Sequence, residues 1–235
     1  MKILLYESIL AKLQFTPLAN NSNFWIFYWL LLLSSIIITA KLFSPKRFSQ
    51  SLLGLISSSS YKALTSEGIV NNIINILLAI QYVLAFGLLL TTLSQHYYPQ
   101  AKFSTSGFMT TLTFSSLIIL FIILKIGFIL ITQWIYQAKK IAFKYLNYLM
   151  LSYDIMGLVI FFGLWLLLYV NFKVGIISIL TLMVILFIVR LLKITIIVES
   201  KNNFSLFSFI VYLCTVEILP LIIVQKLYLY WVAGG

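Results

Sequence analysis

Read for hydropathy, the chain is a series of long apolar runs separated by short polar connections. A hydrocarbon core about 30 Å thick takes about 20 mostly apolar residues in a helix rising 1.5 Å per residue. Six runs meet that requirement, at approximately 24–42, 70–93, 108–136, 149–170, 174–198 and 206–231. The longest connection is 43–69. A separate core is rarely stable in a segment shorter than about 40 residues, so this connection holds no domain of its own. The expected architecture is therefore all-α: one polytopic membrane domain over 1–235, with six transmembrane helices and short loops. Two weaker amphipathic patterns flank the first span. Ile3, Tyr6, Leu10 and Leu13 share a helical face, as do Phe48, Leu52, Leu55 and Ile56 behind Lys46 and Arg47. Both fit short in-plane helices, the second ended by the Ser57–Ser60 run. The segment MKILLYESILAKLQF has its apolar stretch broken by Glu7 and Lys12 and lacks a small-x-small cleavage site. It is expected to be retained rather than removed as a leader.

Composition strengthens this reading. The chain of 235 residues is 62% hydrophobic and 9% charged. Ordinary soluble domains are roughly 45–50% apolar and roughly 25% charged. The net charge of +11 needs no nucleic-acid partner, because basic residues at the ends of spans orient membrane helices. Ten of the sixteen Lys and Arg fall on one side: Lys41, Lys46, Arg47, Lys62, Lys139, Lys140, Lys144, Arg190, Lys193 and Lys201. The other side holds Lys2, Lys12, Lys102, Lys173 and Lys226, and Lys125 lies inside a span. This bias predicts an inner membrane with both termini periplasmic, and with Lys46, Arg47, Lys139, Lys140 and Lys144 facing headgroups. Cys214 is the single cysteine and His96, expected in an outer loop, the single histidine. They exclude a disulfide framework, a bis-His haem site and a His- or Cys-rich metal site. No cofactor or metal is expected.

Ionisable side chains at mid-membrane cost at least about 2.5–3.5 kcal/mol each on insertion scales, so each is a site candidate until a partner or snorkelling explains it. Glu217 lies near the middle of the sixth run, with Pro220 three residues on. That proline removes a helical donor and should kink the helix there. Lys125 shares the depth of Glu217 by residue counting, which permits a Lys125–Glu217 pair. Asp154 and Arg190 are permitted as a second pair nearer the inner face. Asn71 and Asn75, four apart, share a helical face and extend a polar interior toward the cytoplasm. Snorkelling of Lys125, hydration of Asp154 at the boundary, and structural pairing are the plain alternatives. No catalytic residue emerges. There is one aspartate, no HExxH, no Walker A or GxGxxG sequence, and no Ser or Cys motif that would make His96 an intramembrane base.

The stretch YLCTVEILP at 212–220, preceded by Asn202-Asn203-Phe204, resembles the C-terminal signature of an uncharacterised integral-membrane family of Bacteroidota that carries a domain-of-unknown-function label. Ser44-Pro45-Lys46-Arg47-Phe48 and Lys125 match in the same order, and residues 145–157 match more loosely, with Asp154 where the resemblance would place a basic or amide residue. The resemblance implies a multi-helix inner-membrane protein and assigns no activity.

Three functions stand open. The one that asks least of the residues is a non-catalytic subunit or scaffold of a membrane complex, with the bilayer and a membrane-protein partner or a second copy as its associates. An alternative is a small proton- or cation-coupled carrier or channel using Glu217 beside the Pro220 break. The third, an enzyme on a lipid-linked substrate, rests on basic loops that orientation already accounts for.

Overall fold

A computed structural model describes residues 24–54, 73–97, 107–136 and 139–199, which are almost entirely helical. Six helices make up this part: α1 (Phe24–Phe43), α2 (Pro45–Gly54), α3 (Ile73–Tyr97), α4 (Gly107–Tyr136), α5 (Lys139–Tyr169) and α6 (Phe172–Glu199). All but α2 are long and apolar enough to cross a bilayer. The chain is thus an all-helical, membrane-embedded protein. The expected sixth span at 206–231, the N-terminal amphipathic segment and the Ser57–Ser60 stop lie outside the described residues.

Local chemistry sets two of the junctions. At the first, Ser44 precedes Pro45, and the Ser44 carbonyl accepts from the Phe48 N–H at 3.0 Å. Proline suits this opening position because its missing donor would have no helical partner there. At the second, Val170 and Asn171 both donate backbone N–H to the Leu166 carbonyl, at 3.0 and 3.1 Å. The Asn171 side chain then accepts from the Lys173 N–H at 3.0 Å, which caps α6 as asparagine commonly does. The chain reverses in two residues, so α6 folds directly back along α5.

Packing makes α3 and α5 the centre. α3 lies against α1, α4 and α5, α5 lies against α6, and α2 touches α5, α1 and α3. Two thirds of the most apolar stretch of α5 is buried (67%), against 17% for α6. Leu30 and Leu33 of α1, Leu88 of α3 and Leu149, Ile160 and Leu164 of α5 are wholly enclosed. His96 and Tyr97, at the end of α3, pack on Phe172 at the start of α6, while Gly107 at the start of α4 meets Trp25 of α1. These contacts place successive spans antiparallel.

The structure differs from the sequence reading in three places. α5 begins at Lys139, ten residues before the expected 149, because Lys139, Lys140, Lys144 and Asn147 depress hydropathy without interrupting the helix. His96 belongs to the last turn of α3 rather than to a loop. And α2 does not simply float at the headgroups. Phe48 packs beside Ala40, Ile74 and Leu78, and Ser51 is fully buried.

Candidate functional site

Most hydroxyl side chains in the bundle bond back to their own helix, as Thr92 and Ser152 do, but four side-chain hydrogen bonds among the described residues reach from one helix to another. Ser51 of α2 donates to Asn75 Oδ1 of α3 at 3.3 Å. Gln81 of α3 donates through Nε2 to the Gly157 carbonyl of α5 at 2.9 Å, where glycine lets the two helices approach closely. Thr111 of α4 donates to Thr91 of α3 at 3.1 Å. Arg190 of α6 donates through Nη2 to the Tyr145 hydroxyl of α5 at 2.8 Å, and its guanidinium lies 5.7 Å from the Tyr145 ring centre. Such links between membrane helices average about 0.6 kcal/mol and reach about 1.7 kcal/mol. A hydrogen bond to a charged group is worth about 1.5–3 kcal/mol.

Between α4 and α6 the helices leave a cleft of about 590 Å³ with almost wholly apolar walls. α3 and α5 form its floor, where the Tyr82 and Tyr153 rings stack at 4.8 Å. Lys125 from α4 and Arg190 from α6 both line it, 3% and 4% exposed. Lys125 Nζ lies 5.9 Å from the centre of the Phe121 ring, one turn away on the same helix. With that burial Lys125 does not run along the outside of the bundle to the headgroups. Depth counting assigns Lys125 and Arg190 to separate pairs, whereas in the structure both line one cavity.

Asp154 stands elsewhere. It is fully buried, and neither carboxylate oxygen has a hydrogen-bond partner among the described residues. The expected Asp154–Arg190 pair is not formed, and Tyr145 takes that place at Arg190. The reason is azimuthal. Asp154 follows Tyr145 by nine residues, about 2.5 turns, so the two point to opposite sides of α5 about 13–14 Å apart along its axis. The complete burial of Asp154 among the helices, rather than its depth, is what argues against hydration at the boundary. Asn147, two turns before Asp154 on the same stripe, likewise has neither side-chain polar atom hydrogen-bonded among the described residues.

Of the other sequence candidates, Asn75 is buried under α2 and held by Ser51, so the expected polar opening is covered at that point. Lys46 and Lys144 are exposed, as headgroup contact requires. The side chains of Arg47, Lys139 and Lys140 lie outside the described residues, as do Asn71, Glu217 and Pro220 altogether. The sequence reading missed Tyr145, Gln81 and Ser51. A search that treated neutral hydrogen-bonding residues within apolar runs like charged ones would have found Gln81, whereas Tyr145 falls before the run at 149–170.

A family model for a domain of unknown function, DUF4271, matches residues 26–228. The chain belongs to the DUF4271 family. No curated protein and no solved structure matches it. The family match begins two residues into α1 and extends past the described helices through most of the expected sixth span, so what DUF4271 members share is the membrane-embedded part itself.

Proposed function

We propose that this DUF4271 protein is a non-catalytic subunit or scaffold of the bacterial inner membrane, with periplasmic termini, which acts by associating with a membrane-protein partner or with further copies of itself. The observation that carries this reading is the use of the buried polar groups. Ser51, Gln81, Thr111 and Arg190 each tie one helix to another, which fixes how the helices pack. The rigid frame so made presents α6 as a broad apolar face, with Ile177, Leu180, Val184 and Ile188 all at least half exposed. The bias of Lys and Arg toward the loops after α1 and α4 and toward the end of α6 supports the orientation. Affinity purification of the tagged chain at native expression in mild detergent is expected to recover one reproducible membrane partner or a defined oligomer. Recovery of single copies with nothing bound would overturn the proposal.

One observation favours a second reading. Asp154, enclosed and without a hydrogen-bond donor among the described residues, is a place for a proton or a small cation in a carrier that also uses Glu217. In proteoliposomes this reading expects proton- or cation-dependent flux that Asp154→Asn or Glu217→Gln removes at unchanged protein level. No flux with the unaltered chain would end it.

A further inference from the structure

Asp154 and Asn147 are enclosed in the bundle, and neither hydrogen-bonds through any side-chain atom among the described residues. They stand seven residues apart on one stripe of α5, about 10–11 Å along its axis. That stripe is polar toward one end only. Three residues outward from Asn147 is Lys144, which is exposed and lies on the cytoplasmic side in the orientation proposed above. In the other direction the next turn carries Leu158 and Phe161, both buried. The contact between α3 and α5 closes in the same direction: past the Gln81–Gly157 bond, Leu88, Ile160 and Leu164 are wholly enclosed. Polar groups therefore lead from Asp154 toward one surface, and apolar packing seals it from the other.

The spacing also selects the ligand. A hard cation takes about six oxygen ligands, and Asn147 is too far from Asp154 to share one with it. Leu151 and Leu158, the neighbours of Asp154 on the stripe, are buried and apolar, and no three His, Cys, Asp or Glu side chains come together among the described residues. A proton needs one oxygen and no cavity. Two unsatisfied polar groups in line also give bridging water the partners it requires. The surrounding ionisable groups are engaged elsewhere or lie apart. Tyr82 of α3 stacks on Tyr153, Arg190 of α6 bonds Tyr145 on the far side of α5, and Lys125 of α4 lies in the cleft near Phe121. Lys46 of α2 is exposed, Lys193 of α6 is half-buried toward the end of its helix, and Tyr148 is on another face of α5. None of them hydrogen-bonds Asp154. We propose that Asp154 is a proton-binding site open to the cytoplasmic side alone, with Asn147 as the intermediate step. This rests on the Asp154 site of the second reading above and not on transport, because a site reached from one side responds to the pH of that side, whereas a carrier must reach both.

Infrared spectroscopy of the full-length chain tests this without a substitution, because Asp154 is the chain's one aspartate. Aspartate carrying carbon-13 in its side-chain carboxyl shifts the C=O stretch of the protonated acid and so assigns it. In proteoliposomes of uniform orientation that band is expected at acid pH. It should fall about tenfold per unit of pH above its midpoint when the pH is raised on the Lys144 side, and stay unchanged when only the opposite side is raised. Asn147→Leu should slow the response to a pH jump about tenfold, the effect of one hydrogen bond lost from the route. Should that variant fail to accumulate, the unaltered chain still decides the matter. A band that follows the opposite side, or both sides equally, would overturn the proposal, as would a band that is absent or that no pH changes, or an equally fast response in Asn147→Leu. Response to both sides would leave the carrier reading standing, whereas absence of flux would leave this site untouched.

Discussion

Gly175→Val is expected to abolish accumulation of the folded protein, the largest effect of any single substitution considered. The two-residue reversal at Val170 and Asn171 presses the first turn of α6 onto the last turn of α5. A β-carbon on Gly175 would fall against the backbone of Leu167, with the Leu167 N and Cβ both at 2.6 Å. Backbone atoms at the end of a helix cannot step aside as a side-chain tip can. Ordinary overpacking costs about 1–3 kcal/mol, and a clash with backbone exceeds that against a total stability of roughly 5–15 kcal/mol. Close approach through small residues is also how membrane helices gain contact, since lipid tails are as apolar as leucine and give no hydrophobic drive between them. Gly157→Val should be milder but still harmful, because the added atoms meet Gln81 Oε1 at 2.8 Å, which can move, and Tyr82 Cα at 2.9 Å, which cannot. Gly127→Ala, where nothing lies within 4 Å, should leave accumulation unchanged. Membrane-fraction yield and the SDS midpoint of unfolding check the series, and equal behaviour of Gly175→Val and Gly127→Ala would refute the α5–α6 packing.

Tyr145→Phe is expected to destabilise the protein by about 1.5–3 kcal/mol, the worth of a hydrogen bond to a charged group. The substitution removes one oxygen and leaves the ring, so packing and the cation–π contact at 5.7 Å survive. What is lost is an acceptor for a guanidinium that is 4% exposed. Membrane measurements of interhelical hydrogen bonds average lower, about 0.6 kcal/mol. The charge on Arg190 is the reason to expect the upper range here. Arg190→Met removes donor and charge together, and with them much of the desolvation cost of keeping a cation inside.

The residues show why some of this was legible in the chain and some was not. Spans are set by one-dimensional length and hydropathy, so the apolar cores of α1, α3, α4 and α6 emerge within a few residues of their observed limits. The amphipathic spacing behind Pro45 likewise marks α2. The start of α5 escaped because hydropathy reports where lipid begins, whereas Lys139, Lys140 and Lys144 continue the helix beyond it. Depth, too, is one-dimensional, but counting it assigns Lys125 and Arg190 to separate pairs and does not show that both line one cleft. Azimuth is not. Half a turn separates Tyr145 from Asp154 in direction, and that half-turn replaces an expected ion pair with a tyrosine hydroxyl. Gly157 carried no warning in sequence that its carbonyl would receive Gln81, because that bond depends on which faces of α3 and α5 meet.

The central claim is that polar groups within this membrane domain join helices to one another, and a double-mutant cycle on Tyr145 and Arg190 tests it most directly. Unfolding would be followed in SDS for the unaltered chain, Tyr145→Phe, Arg190→Met and the double variant. Tyr145→Phe should cost about 1.5–3 kcal/mol alone and close to nothing once Arg190 is methionine. Equal costs of Tyr145→Phe in both backgrounds would mean that the two side chains are uncoupled, and would contradict the account.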